Sequence, residues 1–147
     1  MKSVEKTVLL MHSAEDMYAL VTDVPSYSQF LPWCSDAKIL ETHEHGVKAQ
    51  LSLSFKGLSQ HFSTHNTHEV GRRVHMKLID GPFSMLEGEW QFTPLGAPED
   101  KACKVNFRIE YAFSSKTLAA LVGPIFDKIA ATMVDAFVKR ADVVYGT

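Results

Sequence analysis

Residues 115–145 read SKTLAALVGPIFDKIAATMVDAFVKRADVVY. Apolar residues recur in this stretch at steps of three and four, a spacing that predicts a helix with one broad apolar face: Ile125, Ile129, Met133, Phe137, Ala141 and Val144. Charged residues such as Asp135 and Lys139 fall on the other side. A helix of this kind owes its stability to packing rather than to propensity, so the rest of the chain must supply a wide apolar surface for it.

The ends of this helix carry capping residues, and its interior carries an interruption. Ser114 or Ser115 can cap the start, and Gly146 follows the last turn. Gly123-Pro124 breaks the pattern because proline lacks an N–H and crowds the preceding turn. We therefore expect a short helix over 115–122 and a long helix over 124–145. Pro124 serves either as a hinge or as the first residue of the long helix.

The upstream sequence changes to a period of two, which is typical of half-buried strands. A strand over 3–10 and a helix capped by Ser13 come first, and an aromatic segment over 25–33 is expected to form a helical turn. The later alternating segments cover residues 47–55, 58–66, 73–78, 86–92 and 103–113. Short turns between them predict an antiparallel meander, and hence an α+β domain in which a curved sheet wraps around the C-terminal helix.

Composition limits the function classes. A chain of 147 residues with a net charge of −2 fits one domain, 1–147, and does not favour DNA or other non-specific nucleic-acid binding. The first residues lack a signal-peptide layout, and Cys34 and Cys103 do not make a disulfide framework. We expect a cytoplasmic protein, with peripheral contact to the inner membrane left open.

A curved sheet and a helix do not close perfectly against each other, and the gap between them predicts an apolar ligand pocket. Three polar residues, Thr64, Asn66 and Tyr111, fall on the inner face and need partners there. They can meet a ligand's oxygens, or they can bond to backbone or water in an ordinary packed core. The predicted ligand-binding residues are Phe30, Trp33, Leu53, Phe62, Thr64, Asn66, Met76, Phe83, Trp90, Phe107, Tyr111, Ile129, Met133 and Phe137.

Metal and catalytic chemistry find little support. His61 and His65 would lie about 13 Å apart on a strand, with His68 pointing to the other face, so no metal site is expected. Asp80 falls on the inner phase beside a Gly-Pro turn and is interpreted as a turn residue. Cys34 has no activating partner in the sequence. We expect no enzyme activity and no resident cofactor other than a bound lipid.

Several short motifs resemble those of a known family: YALV at 18–21, YSQFLPWC at 27–34, GPFSMLEGEWQF at 81–92, GPIF at 123–126 and MVDAFVKRA at 133–141. They are similar to the START-type helix-grip domains of the polyketide cyclase/dehydrase-like superfamily. The similar branch contains the coenzyme Q-binding proteins and the bacterial ribosome association toxins.

The resemblance implies a helix-grip fold with two short helices after the first strand. It also implies non-catalytic binding of a hydrophobic molecule, foremost ubiquinone in support of respiration. The alternative that it implies is a toxin that binds the large ribosomal subunit and blocks subunit association, and a cyclase or dehydratase comes third. The ribosomal alternative would use a basic stripe on the outer sheet face, and the simpler interpretation is that this stripe is a solvated surface. The stripe consists of Arg72, Arg73, His75, Lys77, Lys104 and Arg108.

Overall fold

Seven antiparallel strands and one long helix make up most of the chain. The computed structural model describes residues 1–55, 57–97 and 99–146. The elements in chain order are β1 Lys2–Leu10, α1 Ala14–Thr22, a 3₁₀-helix Val24–Gln29, β2 Cys34–His43, β3 Gly46–Phe55, β4 Leu58–Glu69, β5 Arg73–Asp80, β6 Phe83–Pro94, β7 Cys103–Phe113 and α2 Lys116–Tyr145.

The strands form a single sheet in the order β1-β7-β6-β5-β4-β3-β2. From β2 to β7 each strand pairs with the next in the chain, as in a meander, while β1 joins at the far side against β7. Alternate residues of β7 are buried on the inner face, as the period of two predicts: Cys103, Val105, Phe107, Ile109 and Tyr111. Because β1 and β2 stand at the two ends of the strand order, they are the edge strands of the sheet.

The helix α2 is continuous from Lys116 to Tyr145, so the prediction of two helices was wrong. Pro124 lies inside it on the exposed side, where the ring meets solvent and the carbonyl that loses its helical donor can be hydrated. The predicted caps are confirmed: the Ser115 hydroxyl accepts a hydrogen bond from the Leu118 N–H at 3.1 Å, and Gly146 follows the last turn with φ of 84°.

The backbone of α2 lies closest to β7, β1 and α1. Its C-terminal end is tied down by His12, whose Nε2 lies 2.8 Å from Asp142 Oδ1, and by the Tyr145 hydroxyl, which donates to the Asp16 carbonyl at 3.2 Å. On the side of β4, the Phe126 ring of α2 reaches the Phe62 ring, with 6.2 Å between their centroids. Within the described residues α2 is the one helix long and apolar enough to cross a membrane, but a helix in a protein core passes the same test.

Strand β2 is absent from the sequence-based prediction. It is an edge strand with only Cys34 and Ala37 buried, and irregularities interrupt its pairing with β3 after Cys34 and after Ile39. A strand that buries so few residues shows no alternating pattern, and this is why the period of two does not reveal it.

The pairing of β4 with β5 corrects one further expectation. The register shifts between Ser63 and Thr64, because Ser63 pairs with Asp80 and Thr64 pairs with Leu78. Asp80, expected on the inner face, is exposed. Ser63 is buried, but it stays in register with Gln50 on the outer phase of β3. A β-bulge breaks strict alternation because two residues of one strand oppose one residue of its partner.

We expect Pro124→Ala to raise the free energy of unfolding by about 1–3 kcal/mol. The substitution restores an N–H donor and removes the ring from the preceding turn of an unbroken helix. Chemical denaturation measures the change. Lys128→Ala, one turn further along the exposed side, is the control and should shift the free energy by less than about 0.5 kcal/mol. A loss of stability in Pro124→Ala would contradict this account.

Candidate functional site

One aromatic cluster fills the interior beneath the N-terminal half of α2. Phe126 of the helix lies with its ring centroid 4.7 Å from that of Tyr111 and 4.9 Å from that of Phe83. Phe62 of β4 approaches Phe83 at 5.6 Å and Phe126 at 6.2 Å, both edge to face. Aromatic rings prefer such tilted contacts, and they add to the stabilisation from apolar burial.

A second aromatic cluster lies beneath the C-terminal half of α2. Phe137 contacts Trp90 of β6 at a centroid distance of 5.2 Å, and Trp90 contacts Phe107 of β7 at 4.5 Å. The segment that contains the 3₁₀-helix covers this cluster through Tyr27 and Phe30, whose rings lie 5.3 and 5.1 Å from Phe137. The sequence expectation of a helical turn folded over the interior is therefore confirmed.

The inner polar residues pair with each other. The Thr64 hydroxyl donates to the Asn66 side-chain oxygen at 2.7 Å, and both residues are buried. Across the described residues, every buried side-chain nitrogen or oxygen has a hydrogen-bond partner. The sequence left two roles open for Thr64 and Asn66, contact with a ligand or hydrogen bonding within a packed core. Their mutual hydrogen bond matches the second role.

Tyr111 belongs to a hydrogen-bond network that runs from the interior to the surface. Its hydroxyl donates to Asp127 on α2, and the same carboxylate accepts from Lys2 on β1. Burial raises the pKa of Tyr111, and the hydrogen bond to Asp127 raises it further. Partial burial alone would raise the pKa of Asp127, but the hydrogen bonds from Lys2 and Tyr111 outweigh it and hold the pKa below its usual range. The carboxylate thus stays ionised and fixes α2 against two strands.

The predicted ligand-binding residues all lie in this interior. Phe30, Trp33, Met76 and Met133 are partly buried, and the other members of the set are buried. Their side chains contact one another as a core does. A crevice of only about 10 Å³ opens between α2 and the β3–β4 hairpin, whereas sites for small molecules usually measure about 300–1,000 Å³. Ligand contact by these residues remains a prediction, and it requires the aromatic side chains to move.

The outer sheet face mixes both signs of charge. Arg73 pairs with Glu89, the ring of His75 lies 3.4 Å from the Glu87 carboxylate, and Arg108 lies 3.9 Å from the carboxylate of Glu110. The basic stripe considered from the sequence is therefore divided by acidic partners. This arrangement agrees with the simpler interpretation of a solvated surface along β6 and β7.

A groove of about 380 Å³ lies at the other end of the outer face, and sequence reasoning missed it. It is lined by His43, Glu44, His45, Gly46, His65 and Thr67. His43 and His45 flank the β2–β3 turn, and the His43 ring reaches β4, where its centroid lies 5.7 Å from that of His65. The sequence did not reveal the groove because strand β2 was not predicted, and His43 was therefore not assigned to any strand.

Metal and nucleophile chemistry remain without support among the described residues. No group of three or more His, Cys, Asp or Glu side chains there could hold a metal ion. His68 points inward to Tyr18, and burial lowers its pKa. Burial raises the pKa of Cys34 to about 11, although a hydrogen bond to the Asp36 backbone partly offsets it. Burial likewise raises the pKa of Cys103 to about 11, so both thiols stay protonated at neutral pH.

Comparison with known proteins gives the family. Residues 10–138 match the profile of the family described as polyketide cyclase / dehydrase and lipid transport. The chain belongs to this family. A START superfamily protein from Mycobacterium smegmatis shares the fold, with a TM-score of 0.73 at 20% identity, covering 94% of this chain and 95% of that one. The helix-grip α+β architecture of this family confirms the predicted fold class.

Two relatives in the polyketide cyclase / dehydrase and lipid transport family bear on function. A protein of Vibrio cholerae named ribosome association toxin RatA is 44% identical over 146 residues, which cover 99% of each chain. A mitochondrial coenzyme Q-binding protein of Xenopus laevis is 30% identical over 139 residues, covering 94% of this chain and 57% of that protein. Both are named as a toxin or a binding protein, and neither as an enzyme.

We expect Tyr111→Phe to destabilise the protein by about 1 kcal/mol at neutral pH, and by less in acid. The folded-state pKa of Asp127 lies below its unfolded value of about 4, so its contribution is present above that pH and is lost as the pH falls through the folded pKa. The partial exposure of Asp127 keeps the expected magnitude small. Unfolding free energies measured between pH 3 and 7 test the difference.

The control is Tyr27→Phe. The Tyr27 hydroxyl donates to the Val21 carbonyl rather than to a carboxylate, so its loss should cost the same at every pH in that range. Equal pH profiles for the two variants would show that Asp127 draws no stabilisation from Tyr111.

Proposed function

We propose that this chain associates with the ribosome, binding the large subunit and thereby hindering its association with the small subunit. The observation that carries the proposal is the similarity to the Vibrio cholerae ribosome association toxin, which extends over nearly the whole of both chains. A cytoplasmic location follows from this role. The family resemblance of the sequence motifs placed ubiquinone binding first, and the more extensive similarity to the toxin reverses that order.

The geometry supports a binding role over a catalytic one. The two thiols are held protonated by burial, and the Asp127 carboxylate is already occupied by hydrogen bonds from Lys2 and Tyr111. The interior is filled by packed aromatic side chains. What the molecule offers a partner is therefore its surface, above all the broad outer face of the seven-stranded sheet.

Co-sedimentation with separated ribosomal subunits tests the proposal. The purified protein should pellet with large subunits at low salt and should reduce the amount of joined ribosome when both subunits are mixed. An acidic protein of similar size controls for trapping in the pellet. If the protein stays in the supernatant with both subunits at low salt, the proposed function is wrong.

A second candidate function is the binding of a quinone or another hydrophobic molecule. It is favoured by the similarity to the coenzyme Q-binding protein and by an inner surface that is apolar apart from a few paired polar groups. The entry route would be the crevice beside Val122 and Ile125, which lies between α2 and the β3–β4 hairpin. Binding requires the Phe62–Phe83–Phe126 contacts to separate.

Tryptophan fluorescence tests this second function. The chain has two tryptophans, and Trp33→Phe leaves Trp90, which is buried in the interior, as the only reporter. A quinone that enters the interior should quench Trp90 saturably. Ile125→Phe, which fills the crevice, should raise the quinone concentration needed for half-quenching about tenfold. Quenching that rises linearly with concentration would indicate collisions in solution and contradict an interior site.

A further inference from the structure

A short flap covers the aromatic cluster beneath the C-terminal half of α2. It consists of residues 25–30 and includes most of the 3₁₀-helix. Val24 and Leu31 stand at its two ends and are buried, with 2% and 1% of their surface exposed. A proline follows each of them, at positions 25 and 32. Because proline restricts the backbone of the residue before it, Val24 and Leu31 are firm anchors for the flap.

The backbone hydrogen bonds of the flap are local. The N–H groups of Phe30 and Leu31 donate to the Tyr27 carbonyl at 3.3 and 2.9 Å. The nearest backbone hydrogen bond to the sheet lies beyond the second anchor, from the Ser54 N–H to the Trp33 carbonyl at 2.9 Å. Among the described residues, none joins the flap backbone to the sheet or to α2. Side chains therefore hold the flap over the interior.

Arg140 of α2 binds two consecutive residues of the flap. Phe137 and Arg140 are three residues apart, so they project on the same side of the helix. The Phe137 ring meets the Phe30 ring edge to face, and the guanidinium carbon of Arg140 lies over the Phe30 ring, 5.2 Å from its centroid. Arg140 Nη2 also donates to the Gln29 side-chain oxygen at 3.0 Å. We call this pair of contacts the latch.

The latch can open without leaving a buried charge. Arg140 is only half-buried, so its guanidinium can return to water when the flap moves. A cation over an aromatic ring and a hydrogen bond near the surface are each weak interactions. The local hydrogen bonds of the flap are kept when it moves as a unit between Val24 and Leu31.

The flap and the crevice lie over different parts of the interior. The crevice opens beside Ile125, next to the cluster around Phe126, whereas the flap covers Phe137. Phe126 and Phe137 are eleven residues apart on α2, which corresponds to about 16 Å along the helix axis. A hydrophobic molecule that enters by the crevice displaces the first cluster. Only a molecule with a long apolar chain extends from there to the second.

We propose that the flap is the part of the wall that yields to a long apolar chain, and that Arg140 is a positioning residue that sets how easily it yields. The proposal rests on the second proposed function, the binding of a hydrophobic molecule, and it names a determinant of ligand length. The interior is packed, so a chain that reaches Phe137 has to displace part of the wall. A segment with local hydrogen bonds and two anchored ends is the part that moves with the least disruption.

Hydrogen exchange of the ligand-free protein tests the latch. Arg140→Gln removes the cation from the Phe30 ring and should speed the exchange of the Phe30 and Leu31 amides about fivefold to tenfold. Arg140→Lys keeps the charge but loses the planar group, so it should give an intermediate rate. Lys139→Gln changes the neighbouring exposed residue of α2 and is the matched control, in which both rates should stay unchanged.

Two quinones with the same ring test the effect on ligand length. One is the dimethoxy-methyl-benzoquinone ring of ubiquinone without a tail, and the other carries a decyl tail. Quenching of Trp90 is measured in proteins that also carry Trp33→Phe. Arg140→Gln should lower the concentration of the decyl quinone needed for half-quenching about threefold to fivefold and leave that of the tailless quinone unchanged. A general loosening of the fold would shift both quinones alike.

The outcomes separate the latch from the function. Exchange rates that stay unchanged in Arg140→Gln would overturn the latch, and equal shifts for the two quinones would overturn the length limit. If neither quinone quenches Trp90 saturably in any variant, the second proposed function is wrong and the length limit with it, whereas faster exchange would still establish the latch. Should Arg140→Gln fold poorly, Gln29→Ala removes the same hydrogen bond from the flap side and takes its place in both measurements.

Discussion

The burial of one helix face against the inner side of the sheet is the constraint on which the other features depend. Phe126 and Phe137 each stand at the centre of an aromatic cluster, and they lie eleven residues apart on α2, about 16 Å along its axis. Burying a phenylalanine contributes about 1.5–3 kcal/mol, which exceeds what any surface ion pair on this helix supplies. The aromatic contacts therefore set where α2 lies, and the polar contacts adjust to that position.

The polar contacts show this adjustment in their spacing. Lys2 and Lys6 of β1 bind Asp127 and Asp135 of α2. Four residues of strand advance about 13 Å and eight residues of helix advance about 12 Å, so the two pairs stay in register along both elements. Exposed ion pairs of this kind contribute little to the free energy of folding. They cover the inner side of an edge strand, and they favour one position of the helix along that strand.

The same constraint limits ligand binding. The residues predicted to line a pocket are those that hold α2 on the sheet, so an occupied interior would have to replace their mutual contacts with contacts to the ligand. A long apolar molecule can do so, because dispersion and burial are not specific to protein partners. The narrow crevice beside Ile125 marks the side of α2 that faces the β3–β4 hairpin, whereas the backbone of α2 lies closest to β7, β1 and α1.

Sequence patterns predicted the elements whose burial is periodic and missed those whose burial is not. The helix face of α2 and the inner faces of β3, β6 and β7 follow from apolar spacing, and so does the set of inward residues. Three features depend on tertiary context, and each is tolerated because of what lies around it. They are strand β2, the register shift between Ser63 and Thr64, and the continuation of α2 through Pro124. The interior site could be named from sequence, but its filling by Phe62, Phe83 and Phe126 could not, because contact distances leave no trace in a periodic pattern.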